Sequence, residues 1–220
     1  MNQACRAGAK QRPAALLFGL PLAIALASAF LPTPALAHEF GVGKDAYEDF
    51  LSGNQAVFVD FPVVLGVIAA GLFVSIWRAD GFPTVWLPYL AGLVAGAVLA
   101  FALAIPPALP MFVTVIFVGL LGALAPDLST RMMQGIYFVV GMVLTNAVLS
   151  GHTIDEIPAF SYVGIAFALN FGVSACAAIV YQSREKLSYD WVMIVWRAGS
   201  SWLVAIAVMG IALMLRSTGG

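Results

Sequence analysis

Apolar stretches long enough to cross a bilayer follow one another along most of this chain, and they restrict its fold more than any other feature. A helix needs about 20 predominantly apolar residues to span the hydrocarbon core of a membrane. Hydrophobic residues make up 62% of the 220 positions and charged residues only 10%, which is outside the range of soluble domains. We therefore expect an all-α, polytopic membrane protein.

The apolar stretches predict a bundle of about six transmembrane helices, each bounded by charged residues or proline. The connections between them are too short for a soluble domain, so residues 57–220 are expected to form one six-helix transmembrane domain. The predicted helices cover residues 61–77, 85–104, 109–125, 131–150, 160–182 and 191–215.

Residues 1–37 have the pattern of a cleaved signal peptide. A basic start, "MNQACRAGAKQR", precedes an apolar run, and the small residues "ALA" at 35–37 form a cleavage motif. Cleavage would leave His38 as the mature N-terminus, outside the cytoplasm. The alternative is an uncleaved first transmembrane helix.

The distribution of Lys and Arg predicts the orientation of the bundle. With the mature N-terminus outside, the connections near 78–83, 126–131 and 183–190 face the cytoplasm, and they carry arginine or lysine. The outer connections "IPPALP" and "GHTIDEIP" carry neither residue, as the positive-inside rule requires.

Residues 38–56 are expected to form a periplasmic N-terminal segment with a short amphipathic helix above the bundle. The spacing of Asp45, Glu48 and Asp49 places the three acids on one side of such a helix. An acidic stripe would concentrate cations at an external entrance. The alternative is a solvated polar face without a ligand. The apolar residues of the other side are Tyr47, Phe50 and Leu51.

Asp60 stands directly before the first predicted span, and two roles are open for it. A charged group at a membrane-embedded position is a candidate for function. An aspartate before a proline-containing helix start is also a typical N-cap. His38 could bind copper or nickel through its ring and its free amino group after cleavage. The candidate metal ligands are Asp60, His38, Asp45, Glu48, Asp49 and His152.

Other functional classes lack support in the sequence. HExxH, GxSxG, Walker A and paired-cysteine motifs are missing, so we expect neither an enzyme nor a permanently bound cofactor. Residues 38–220 hold 7 Lys or Arg against 11 Asp or Glu, without a basic patch, so a nucleic-acid partner is not expected.

Small and aromatic residues predict helix contacts and membrane boundaries. Gly92 and Gly96 have GxxxG spacing, which lets two helices approach closely. We expect this contact between helices of the same chain in preference to a dimer interface. Trp86 and Tyr89 are expected in the aromatic belt at a membrane boundary.

Four features of the sequence occur together in a known family. They are the signal ending "ALAH", the phrase "FLSGNQAVFVDF" before the first span, the turn "IPPALP", and "GHTIDEIPAFSYVGIAFAL". In this layout the chain resembles the HupE/UreJ family of bacterial membrane proteins, which are associated with hydrogenase and urease maturation and are regarded as nickel permeases. The family's His-Pro-x-x-Gly-x-Asp-His motif corresponds to residues 54–61, where Asp60 matches and Asn54 and Phe61 replace the histidines.

The resemblance implies a permease of the bacterial inner membrane that transports nickel or a related divalent cation through an acidic periplasmic entrance. Because imidazole favours nickel, the replacement of both histidines points to a harder cation. The partners would be the lipid bilayer and the transported ion. The alternative is a non-transporting accessory or assembly subunit of a larger membrane or metalloenzyme complex, which would bind a membrane-protein partner.

Overall fold

The structure, a computed structural model, describes residues 45–102, 106–187, 189 and 191–218. Every regular element within these ranges is helical, which confirms the predicted all-α class. The elements are α1 (Ala46–Val59), α2 (Phe61–Trp77), α3 (Gly81–Ala102), α4 (Ala108–Leu124), α5 (Thr130–Leu149), a 3₁₀ turn (Ile154–Glu156), α6 (Ala159–Lys186) and α7 (Trp191–Thr218).

The lengths and hydropathies of these helices are those of an integral membrane protein. Helices α3, α5, α6 and α7 are each long and apolar enough to cross a membrane. The pair α1 and α2 meets the same criterion together, although the two helices are bent by 81° relative to each other. Helix α4 is apolar but has only 17 residues. The expectation of a polytopic membrane protein is therefore confirmed.

Helices α3 and α6 each extend four residues beyond a predicted bound for local reasons. Helix α3 begins at Gly81 instead of residue 85, because the first turn of a helix tolerates a proline such as Pro83. Helix α6 continues to Lys186, four residues past the predicted end at 182. The apolar run stops earlier, but the following Gln, Arg, Glu and Lys residues favour a helix.

Helix α2 lies at the centre of the bundle. It contacts α4, α5, α6 and α7, and nearly every residue from Val63 to Ile76 is buried. Since α2 is apolar around its whole circumference, neighbouring helices can pack on every side of it.

Side-chain contacts show that successive helices run in opposite directions. Helices α2, α4 and α6 begin at one end of the bundle, here called the Asp60 end. Helices α3, α5 and α7 begin at the opposite end, here called the Arg197 end. The contacts that determine these directions are Gly66–Met111 and Ile76–Gly122 between α2 and α4, Val67–Gly172 and Ser75–Ala177 between α2 and α6, Ala70–Tyr137 and Gly66–Leu144 between α2 and α5, Gly92–Phe138 and Gly96–Met142 between α3 and α5, and Phe112–Gly210 and Gly122–Ser200 between α4 and α7.

Helix α1 packs against the first turns of α6. A Cβ atom added at Gly53 would lie 2.1 Å from the carbonyl oxygen of Ser161, and one added at Gly164 would lie 2.1 Å from that of Phe50. Small residues therefore allow the two backbones to approach closely, as in many membrane helix pairs. The helix continues past the predicted segment end at 56 to Val59, and it contacts α6.

Candidate functional site

Asp60 joins α1 to α2 and caps the start of α2. Its Oδ1 atom accepts a hydrogen bond from the backbone N–H of Val63 at 3.3 Å, and its carbonyl oxygen accepts one from Val64 N at 3.0 Å. The extended backbone of Asp60, with φ −78° and ψ 102°, is typical of a helix N-cap. One of the two roles that the sequence left open, the cap, is therefore observed.

A cavity of about 60 Å³ lies beside Asp60 at the ends of three helices. Pro62 belongs to the first turn of α2, Pro107 and Ala108 to the start of α4, and Ala147 to the last turn of α5. Asp60 is the charged residue among those that line the cavity. A cavity of this size has room for water beside the Asp60 carboxylate.

Met111 of α4 forms one wall of this cavity and packs over Gly66 of α2. A Cβ atom added at Gly66 would lie 2.0 Å from the Met111 methyl carbon, so the side chain uses the space that a glycine leaves. Neither residue belongs to a sequence motif, so their proximity to Asp60 is visible only in the structure.

The helix N-termini at the cavity are relevant to its electrostatics. Both α2 and α4 start there, and the start of a helix carries a partial positive charge. Pro107, the N-cap of α4, has no side chain able to accept a hydrogen bond from the first turn. The Asp60 carboxylate therefore supplies negative charge where two helix starts favour it.

The three acids predicted to form a stripe stand at the start of α1. Asp45 is the N-cap, and its Oδ1 atom accepts hydrogen bonds from Tyr47 N at 3.0 Å and Glu48 N at 2.9 Å. Glu48 and Asp49 follow in the first turn, where carboxylates favour helix formation. Glu48 is exposed and Asp49 is half-buried. Asp45 therefore has a capping role, and Glu48 and Asp49 stand where a helix start favours carboxylates.

His152 and its neighbours occupy the connection between α5 and α6, also at the Asp60 end. The Thr153 backbone N–H donates to Glu156 Oε2 at 2.9 Å, as part of a capping box around the 3₁₀ turn. Glu156 thus has a structural role in the loop. The backbone N–H of His152 donates to the Leu149 carbonyl oxygen at 3.3 Å.

The candidate ligands do not form a metal-binding cluster in the part of the chain that the structure describes. No three His, Cys, Asp or Glu side chains within it lie close enough together to hold a metal ion. His38 and the predicted signal peptide, residues 1–37, lie outside the described residues.

Charged side chains are unequally distributed between the two ends of the bundle. Arg216, near the end of α7, is the one Lys or Arg among the described residues at the Asp60 end. The acids there outnumber it, and they are Asp45, Glu48, Asp49, Asp60, Asp155 and Glu156. The Arg197 end holds Arg78, Arg131, Arg184, Lys186 and Arg197 together with Asp80, Asp127 and Glu185.

Two arginines at the Arg197 end bind the ends of neighbouring helices. Arg197 Nε donates to the Ala123 carbonyl oxygen at 2.8 Å and its guanidinium also reaches Leu124, in the last turn of α4. Arg184 donates to the carbonyl oxygen of Ser75, near the end of α2, at 2.6 Å. Cations at helix C-termini are favourable, so these residues stabilise the bundle.

Gly92 and Gly96 lie at the contact between α3 and α5. A Cβ atom added at Gly92 would lie 2.1 Å from the Phe138 carbonyl oxygen, and one added at Gly96 would lie 2.2 Å from that of Met142. On α5, Gly141 faces the Tyr89 backbone in the same way. The GxxxG spacing thus contributes to packing within this chain.

Tyr89 does not belong to an aromatic belt, contrary to the expectation from the sequence. Its side chain is fully buried, and its hydroxyl donates to the Leu169 carbonyl oxygen of α6 at 3.2 Å. The ring contacts that of Tyr137, whose hydroxyl donates to the Ala70 carbonyl oxygen of α2. A hydroxyl that finds a backbone acceptor can be buried, and hydropathy patterns do not indicate such a partner.

Comparison of this chain with protein families, with curated proteins and with solved structures gives no match.

Proposed function

We propose that this integral membrane protein is a permease for a small divalent cation, similar in type to the HupE/UreJ proteins, and that the cation enters at Asp60. The observation that carries the proposal is a carboxylate beside a small cavity, at helix starts in an otherwise apolar bundle. The excess of acids at the same end would raise the local concentration of cations.

The charge of Asp60 supports this role more than its hydrogen bond does. A helix N-cap requires an acceptor oxygen, and Ser or Asn provides one about as well as Asp does. A charged side chain at a membrane-embedded position is costly, and such groups commonly lie on ion pathways. The cap therefore explains an oxygen at position 60. The helix starts favour a negative charge there, and cation binding would give that charge a function.

The side chains near Asp60 favour an ion that prefers oxygen ligands. Asn54 and Phe61 stand where the similar family has histidines, and Phe61 is half-exposed. Without imidazole, the Asp60 carboxylate and water would suit magnesium, manganese or calcium better than nickel.

A second candidate function is that of a non-transporting membrane subunit. It is favoured by the packing of α2, because the apolar side chains between Val63 and Ile76 are buried against neighbouring helices. It is also favoured by the lack of a three-ligand group among the described side chains. In this case Asp60 would act as a cap and the bundle as a membrane anchor for a partner protein.

Uptake of divalent cations by proteoliposomes tests the proposal. We would compare the parent protein with Asp60→Asn, which keeps the capping oxygen and removes the charge. The matched control is Asp155→Asn, which removes one charge at the same end from an exposed position. Magnesium, manganese, calcium and nickel are supplied separately at low and high ionic strength.

We expect Asp60→Asn to reduce uptake at least tenfold at both ionic strengths, because a ligand would be lost. Asp155→Asn should lower uptake slightly and only at low ionic strength, because salt screens exposed charges. If Asp60→Asn transports like the parent protein, Asp60 is only a cap. If the parent protein transports none of the four ions, the non-transporting function is favoured.

A further inference from the structure

The exposed side chains of α1 include two adjacent stripes of opposite character. Tyr47, Leu51 and Phe58 are 69%, 41% and 49% exposed, and their spacing of four and seven residues places them on one side of the helix. Glu48 and Gln55, seven residues apart, form an exposed polar stripe next to them, which ends at the exposed Val59. An exposed apolar stripe beside an exposed polar one is the pattern of a helix at a membrane surface.

The remaining side of α1 is attached to α6. Gly53, Ala56 and Val57 are buried on this side. The Ser161 hydroxyl donates to the carbonyl oxygen of Asp49 at 2.9 Å and lies 3.1 Å from the Ser52 hydroxyl. Close backbones and a polar contact thus hold α1 at the start of a membrane-spanning helix.

The direction of α1 agrees with a position in the membrane plane. The axes of α1 and α2 differ by 81°, and α2 runs along the bundle. Helix α1 is therefore nearly perpendicular to α2.

The apolar stripe of α1 is continuous with the lipid-facing surface of α6. Phe167 and Phe171 are half-exposed on α6 and stack at 5.8 Å between ring centroids. The ring of Phe50 in α1 lies 5.6 Å from that of Phe167, and the ring of Phe58 lies beside Gly172. The surface that α6 presents to acyl chains thus continues onto α1.

We propose that α1 lies flat in the membrane interface at the Asp60 end, with Tyr47, Leu51 and Phe58 among the acyl chains and Glu48 and Gln55 in water. On this proposal the bent pair is a surface helix followed by a span that starts at Asp60. The sequence of α1 contains no Lys or Arg and begins with acids, so contact with lipid depends on apolar burial and needs no anionic headgroup. The proposal does not depend on cation transport.

Spin labels on single cysteines of the full chain test this placement in nanodiscs of phosphatidylcholine. Cys5 and Cys176 are first replaced by serine, and labels are attached at Leu51→Cys, Phe58→Cys, Glu48→Cys and Gln55→Cys. Collision with oxygen reports lipid, and collision with chromium oxalate reports water. Val163→Cys on the exposed face of α6 is the lipid reference, and Asp155→Cys is the water reference.

We expect the ratio of oxygen to chromium oxalate collisions at positions 51 and 58 to resemble that at 163. The ratio at 48 and 55 should be several-fold lower and should resemble that at 155. Water-like values at 51 and 58 would overturn the proposal, and so would lipid-like values at 48 and 55, which would instead make α1 part of a span. Unchanged gel-filtration and circular-dichroism profiles show that each labelled variant remains folded.

Discussion

At the scale of single residues, the acids near the start of the described chain have identifiable structural partners. Asp45 and Asp60 each accept hydrogen bonds from the first turn of the helix that follows them. A side chain of this kind replaces a hydrogen bond that the helix start cannot make internally. Asp60 caps a helix and also lines a cavity, which makes it a candidate for function.

A substitution at Asp45 tests whether its role is confined to capping. We expect Asp45→Ala to destabilise the first turn of α1 by about 1 kcal/mol, whereas Asp45→Asn should preserve the cap. Hydrogen–deuterium exchange of the peptide that contains Tyr47 and Glu48 measures this local effect. Exchange should accelerate in Asp45→Ala and stay unchanged in Asp45→Asn. Equal exchange in all three proteins would contradict the capping role.

At the scale of helices, glycines determine how closely pairs of helices pack. Gly92 and Gly96 allow α3 to approach the backbone of α5, and Gly53 and Gly164 do the same for α1 and α6. Within a membrane, lipid is as apolar as leucine, so close packing and hydrogen bonds favour one helix pairing over another.

Alanine at Gly92 should weaken the contact between α3 and α5. The added methyl would lie 2.1 Å from a backbone oxygen that cannot rotate away, so the two helices must move apart. We expect Gly92→Ala to lower the free energy of unfolding by about 1–3 kcal/mol. Unfolding of the purified protein in mixed micelles, monitored by circular dichroism, provides the measurement.

Gly135→Ala on α5 is the matched control, because a Cβ atom there meets nothing within 4 Å. It should leave stability unchanged or raise it by about 0.5–1 kcal/mol, since alanine favours helix more than glycine does. A Gly92→Ala protein as stable as the Gly135→Ala protein would mean that α3 and α5 are not in close contact.

At the scale of the whole molecule, the alternating helix directions and the distribution of charge agree with each other. Helices α2, α4 and α6 end where five of the six described Lys and Arg side chains lie. The positive-inside rule would place this Arg197 end in the cytoplasm and the acidic Asp60 end outside. The contacts show which charged residues share an end of the bundle, and the assignment of that end to the cytoplasm stays a prediction.

Cysteine labelling of intact cells tests this orientation in a protein without Cys5 and Cys176. Asp155 and Asp127 are both exposed, and they lie at the Asp60 end and the Arg197 end. We expect a membrane-impermeant maleimide to label Asp155→Cys in intact cells and Asp127→Cys only after lysis. The reverse pattern would invert the topology. N-terminal sequencing of the same preparation shows whether the chain begins at His38, which stays a prediction.

The sequence by itself determined the class of this protein and most of its helices. Apolar stretches of membrane-spanning length require helices, because the backbone of a lipid-exposed segment must form its hydrogen bonds internally. Asp60 followed by proline indicated the start of α2 at Phe61, and the predicted end at residue 77 agrees with the structure. These features are local, so residues close together in the chain suffice to predict them.

The tertiary structure alone decided which side chains meet. Tyr89 is buried, α1 lies beside α6, and Met111 and Ala147 join Asp60 at one cavity. The physical reason is that a membrane helix is apolar both where it faces lipid and where it faces protein, so its hydropathy does not indicate which side is inward. The rotation and pairing of the helices depend instead on glycines and hydrogen bonds between residues that are distant in the chain.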